Sequence, residues 1–199
     1  MPADLLYYHR NLPHRLPPGE TLFITFRLAG SLPQTVVEKL QAEWENHNKT
    51  ADTAEKSYAC QKRYFGRFDQ ILDQAAYGSI WLKQPQVANI VQQALHHFDQ
   101  KAYTLIGYCV MPNHVHLLVT LPDEAPPLAR TLQAIKSYSA TQANQFLGRS
   151  GQFWQRESYD HIVRNTAELA RIIAYIVENP VKAGLVTDWQ DWPYTYWQE

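Results

Sequence analysis

Two histidines flank a single valine in MPNHVHLLVT, residues 111–120, inside an otherwise apolar run. Successive side chains of a strand point to opposite faces, so His114 and His116 project together while Val115 faces away. Two imidazoles side by side on a rigid strand suit a divalent metal. The same pair also fits two partly exposed histidines on the polar face of an edge strand, and spacing alone leaves both readings open. Downstream, AELARIIAYIVENPVKAG places Tyr175 and Asn179 four residues apart, on one helical face. A tyrosine hydroxyl can form a covalent phosphate intermediate where a metal polarises the phosphate, and the amide oxygen of Asn179 is a candidate third, hard ligand. An ordinary buried aromatic with a bonded hydroxyl is the competing reading of Tyr175. Tyr138, on the preceding helix, is the next candidate nucleophile, and Tyr159 and Tyr194 lie near the same block. Tyr175 is preferred because it alone pairs with a polar residue four positions on, just before a proline that can end a helix.

These residues need a strand and a helix to carry them. YTLIGYCVM (103–111) and HVHLLVTL (114–121) read as strands joined by the Pro112–Asn113 turn, hence an antiparallel hairpin. TLFITFRL (21–28) and SYDHIVR (158–164) are further strands. Apolar spacing predicts helices over 35–48, 87–98 and 128–147. A last helix runs over 167–178, capped by Asn165 or Thr166 and ended by Asn179–Pro180. RSGQFWQRE reads as a loop. Residues 49–80 mix charge, aromatics and glycine without a clear period and read as short helices, a possible insertion. The order of elements favours an α+β domain, an antiparallel sheet with helices packed on it. The whole chain, 1–199, is expected to be one domain, with an irregular Pro-rich and basic N-terminal arm (1–20) and an aromatic tail (187–199).

Composition narrows the function class. The 199 residues are 45 % apolar and 19 % charged, which suits a folded core rather than a disordered chain. The formal net charge is -1, so binding to a polyanion would need a local basic face. The two cysteines, Cys60 and Cys109, form no CxxC pair and point to reduced thiols in a cytoplasmic protein. No secretory signal is visible and no apolar stretch approaches ~18 residues, so no membrane span is expected.

Taken together, these blocks resemble the REP-associated tyrosine transposases, members of the HUH single-tyrosine transposase superfamily. The likeness rests on MPNHVHLLVT and on GQFWQRESYDHIVRNTAELARIIAYIVENPVKAGLV, and covers about residues 103–192. YHRNLPHRLPPGETLFITFRLAGSLP and RYFGRFDQILD add to it. The resemblance implies a ferredoxin-like antiparallel sheet. It implies a metal, Mg²⁺ or Mn²⁺, held by His114, His116 and Asn179, although imidazoles also accept Zn²⁺. Many insertion-sequence relatives carry the longer glutamine at the position of Asn179. Tyr175 becomes the nucleophile of a single-stranded DNA endonuclease and strand transferase that passes through a 5′-phosphotyrosine, with hairpin DNA as partner. A monomer using its own tyrosine is favoured over a dimer.

Candidate phosphate contacts are Arg10, Arg15, Lys136, Arg149, Arg156, Arg164 and Lys182, and Trp154 is a candidate for stacking on unpaired bases. Solvated surface charge and core packing are the plain alternatives. Two other functions stay open on sequence. One is a DNA-hairpin-binding protein without turnover; the other is a hydrolase using both histidines and a carboxylate such as Asp160.

Overall fold

The computed structural model describes residues 19–49 and 53–198. Arg10, Arg15 and nearly all of the expected N-terminal arm lie outside the described residues. The alternating apolar run of β1 (Thr21–Leu28) is the centre of the fold. It pairs antiparallel with β3 (His114–Thr120) on one side and β4 (Trp154–Ile162) on the other. β2 (Thr104–Val110) pairs with β3 through the expected hairpin, and β5 (Thr195–Trp197) adds to the outer edge of β2. The strand order is β4-β1-β3-β2-β5. Helix α3 (Pro85–His97) connects β1 to β2, and α4 (Leu128–Phe146) connects β3 to β4. β1–α3–β2–β3–α4–β4 in this order is the ferredoxin-like arrangement expected.

Strand alternation gives the sheet two different faces. Leu22, Ile24, Phe26 and Leu28 are buried on one face, where α4 meets them through Lys136 over the Phe26 ring. On the same face Trp154, edge-on to Phe26, donates its indole N–H to Ser139 of α4 at 2.9 Å. α3 closes this face over β2, where Gln92 and His96 reach the Tyr108 hydroxyl at 3.1 Å. Phe23, Thr25 and His116 occupy the opposite face, with Phe23 stacked on His116. That face is covered by α2 (Ala54–Asp73) and α5 (Thr166–Lys182). Phe65 of α2 stacks on Tyr159 of β4 with ring centroids 4.1 Å apart, and Phe23 meets the Tyr175 ring edge-on. α1 (Gln34–Lys49) packs on α2 through Val37, Leu40, Phe68 and Leu72, joined by Leu32 from the turn before α1.

Several boundaries differ from expectation for identifiable reasons. Residues 54–73 form one 20-residue helix, capped by Thr53, whose side chain accepts from the Lys56 N–H. β4 begins at Trp154, inside the run read as a loop, and its register with β1 shifts between Phe26 and Leu28. Part of the aromatic tail is the fifth strand. The helix of Tyr175 does not stop at Asn179–Pro180; it continues to Lys182. Proline forfeits one N–H bond, yet the Ala183 N–H still reaches the Asn179 carbonyl at 2.9 Å. Gly184, at φ +68°, turns the chain out of the helix in the left-handed region that a side chain would disfavour. Among the described residues no helix is long and apolar enough to cross a membrane.

Candidate active site

β3 sets both histidines on the face beneath α2 and α5, and each is 0 % exposed. Their Nε2 atoms approach to 3.1 Å. The other ring nitrogens are held from behind. His114 Nδ1 donates to the Asn113 amide oxygen at 2.6 Å, since that oxygen can only accept. His116 Nδ1 lies 2.8 Å from the Thr25 hydroxyl, and the Asn179 amide nitrogen donates to His116 Nε2 at 3.0 Å. Both Nε2 lone pairs therefore face inward, the tautomer that binds metal. Burial pushes His114 down to about 3. Burial, then the neighbouring His114, holds His116 well below its ordinary value. Both rings are neutral, as ligation requires.

α2 contributes two residues that the sequence reading missed. Asp69 and Asp73 are four apart and project from one side of the helix. Asp69 Oδ1 lies 3.4 Å from His116 Nε2 and 3.9 Å from His114 Nε2; Asp73 Oδ1 lies 3.6 Å from His114 Nε2. Burial, then the adjoining Asp73, raises Asp69 well above the ordinary carboxylate range. Burial raises Asp73 to about 7. The Asn113 amide nitrogen donates to the Leu72 carbonyl at 3.0 Å, tying the end of α2 to the turn before His114.

The donor set fits a divalent cation. One ligand atom each from Asp69, Asp73, His114 and His116 lies within 4.8 Å of the others. Six ligands at ~2.1 Å from a metal are separated by roughly 3.0 to 4.2 Å. Both Asp69 oxygens, Asp73 Oδ1 and Asn179 Oδ1 are buried without a hydrogen-bond partner, a cost that a bound cation removes. Two carboxylates balance a charge of +2.

α5 places Tyr175 beside this cluster, half-buried, with its ring edge-on to His116 at a centroid distance of 5.4 Å. Asn165 caps α5 by accepting from the Glu168 N–H at 2.9 Å. The buried Glu168 carboxylate accepts from the Arg164 N–H at 3.0 Å and faces His161 at 3.4 Å. Tyr159, by contrast, packs on Phe65, and Tyr194 on Trp192. Tyr138 is half-exposed on α4, which covers the opposite face of the sheet. Asp160 alternates with Tyr159 and His161 on β4, so it also faces away from the histidines and cannot join them.

The basic candidates separate. The Lys136 ammonium donates to the Gln155 and Arg156 carbonyls and the Ser158 hydroxyl at 2.7–3.2 Å, which commits it to holding α4 on β4. Arg149 lies 4.0 Å over the Trp81 ring and donates to Asn144. Trp154 is a buried core residue, with no ring face open to a base. Arg156, Arg164 and Lys182 are exposed. Lys182 lies closest to the cluster, its Nζ 5.1 Å from the centre of the Tyr175 ring.

Comparison with known proteins matches residues 78–179 to the family described as "Transposase IS200 like". A REP-associated tyrosine transposase of Escherichia coli K12 is 30 % identical over 97 residues, covering 48 % of this chain and 54 % of the relative. A Haemophilus influenzae protein assigned to the same group is 31 % identical over 102 residues, covering 47 % of this chain and 58 % of the relative. The chain thus matches little more than half the length of these relatives. A solved structure of a REP-associated tyrosine transposase bound to a REP hairpin has a similar fold. Its TM-score is 0.53 at 19 % identity, over 93 % of this chain and 81 % of that one.

Proposed function

Since the chain belongs to the IS200-like transposase family, we propose that it is a metal-dependent single-stranded DNA endonuclease and strand transferase acting at DNA hairpins such as REP elements. One observation carries the reading: the Tyr175 ring and the Asn179 amide, one helical turn apart on α5, both touch His116. A candidate nucleophile and a candidate metal cluster therefore share one place. His114, His116, Asn179 and the two aspartates of α2 would hold the cation, Mn²⁺ or Mg²⁺. Bound there, it supplies Lewis-acid polarisation of a phosphodiester.

Tyr175 Oη attacks the scissile phosphorus in line with the departing oxygen. A phosphorus–oxygen bond forms to tyrosine and the bond to the 3′ oxygen breaks; the tyrosine hydroxyl gives up its proton, and the leaving oxygen takes up one to depart as a 3′-OH, so the step is proton-neutral. The product is a 5′-phosphotyrosine, and attack on it by another 3′-OH rejoins strands without ATP. Lys182, exposed beside Tyr175, is placed to meet phosphate charge.

The test is incubation with labelled single-stranded hairpin DNA and Mn²⁺, followed by denaturing electrophoresis. A labelled band at protein mass is expected, lost with chelator and with Tyr175→Phe while DNA binding persists. An adduct surviving Tyr175→Phe would remove Tyr175 as nucleophile. Binding with no adduct under any metal would make the protein a DNA-hairpin-binding module instead.

A further inference from the structure

The metal cluster is closed to solvent almost everywhere. His114, His116 and Asn179 are each 0 % exposed, and the Asp69 side chain is 2 % exposed. Among the described residues of the cluster, the Asp73 side chain, at 19 %, is the one that opens outward. Asp73 is therefore the candidate ligand that faces an arriving scissile phosphate. The two aspartates are also attached differently. Asp69 lies within 4 Å of both histidines and sits one turn inside α2, whereas Asp73 reaches only His114 and is the last residue of the helix.

We infer that α2 completes the metal shell in two parts, Asp69 as a standing ligand and Asp73 as the ligand that a DNA phosphate displaces. The inference rests on the metal-dependent reading above. Five side chains of this protein converge on the cluster, so a six-coordinate ion has one place left when all five bind. Displacing Asp73 frees a second place on the exposed side, facing the Lys182 ammonium that also lies over the Tyr175 ring. Both Asp69 oxygens are buried without a hydrogen-bond partner, and Oδ1 lies 3.4 and 3.9 Å from the two histidine Nε2 atoms, so this is not a solvated acidic patch. The exchange conserves charge: one carboxylate anion leaves and one phosphodiester anion arrives. Lys182, whose ammonium acts on both aspartates, remains beside whichever anion is present.

The test measures Mn²⁺ affinity by electron paramagnetic resonance, in a Tyr175→Phe background that cannot cleave. It is run with and without a DNA hairpin selected by retention on that protein from a random-loop library. Asp69→Asn should weaken Mn²⁺ binding about a hundredfold in both states. Asp73→Asn should weaken it about tenfold without DNA and match the Asp73 protein within about twofold in the DNA complex. Both variants keep side-chain shape, and metal-free melting temperatures at or above that of the parent confirm folding. Asp69→Ala is the companion variant if the amide itself ligates. Wild-type Mn²⁺ affinity in both Asp69 variants, alongside its loss in His116→Ala, overturns this inference and leaves the metal reading standing. An Asp73→Asn deficit that is equal with and without DNA overturns the exchange. Undiminished Mn²⁺ affinity in His116→Ala, or retention of no hairpin, overturns both readings.

Discussion

Replacing Thr25 by valine isolates the support behind one candidate ligand. Thr25 is 3 % exposed, and its hydroxyl lies 2.8 Å from Nδ1 of His116, which is itself 0 % exposed. Valine keeps the shape of threonine and suits a strand, so packing is preserved while the acceptor disappears. The His116 Nδ1–H then has no partner and no water, a loss of about 1–3 kcal/mol. For a chain of this size each kcal/mol moves the melting temperature by roughly 2–4 °C, so about 4–8 °C is expected for a loss near 2 kcal/mol. The second effect is on the metal. Without Thr25 the ring can adopt the tautomer that puts the proton on Nε2, and affinity should fall roughly 10–100-fold. Thermal melting in chelator followed by Mn²⁺ titration separates the two effects, and Thr25→Ser should retain Mn²⁺ affinity. A valine variant that binds Mn²⁺ as tightly as wild type would refute the tautomer argument, whatever its melting temperature.

Metal affinity should rise with pH, because a cation displaces protons from carboxylates whose folded-state values are raised. Asp73, at about 7, changes from mostly protonated at pH 6 to mostly ionised at pH 8 and by itself gives about tenfold. Asp69, raised by burial, acts in the same direction, and the histidines, held low by burial, do not contribute in this window. Mn²⁺ titrations at pH 6, 7 and 8 check this; a flat profile contradicts the protonated aspartates. Glu168→Ala removes the acceptor for the Arg164 N–H and the carboxylate facing His161 at the start of α5. It should lower stability by about 2 kcal/mol, measured by denaturant unfolding; an unchanged midpoint would show that α5 is anchored elsewhere.

Both halves of the family-like site were legible where a simple period exposes them. The two-residue repeat of a strand sets His114 beside His116, and a helical turn sets Tyr175 beside Asn179. Asp69 and Asp73 have the same four-residue spacing, and FDQILD could have revealed them. They were hidden because α2 is covered on two sides. Phe68 and Leu72 face α1, Phe65 meets the sheet, and the aspartates face the histidines. A helix with polar groups at buried positions has no clean apolar stripe. The end of α5 was misplaced because proline at 180 costs one hydrogen bond, which flanking bonds tolerate. Lys136 and Trp154 show a different limit. Charge and aromaticity can be read from sequence, but not whether a carbonyl or a neighbouring ring already occupies them.

The side chain at 113 has two opposite tasks at its two ends. Its oxygen accepts from His114, and its nitrogen donates to the last turn of α2. Aspartate supplies the first without the second, lysine the second without the first, and leucine neither. Glutamine has both groups but is one methylene too long to leave both ends where they are. In the language of heredity, the codon before the first histidine has almost no synonyms among amino acids. Drift there would loosen the histidine and the acidic helix together, so the four-residue motif to search for in a distant relative is Asn-His-x-His rather than the histidines alone.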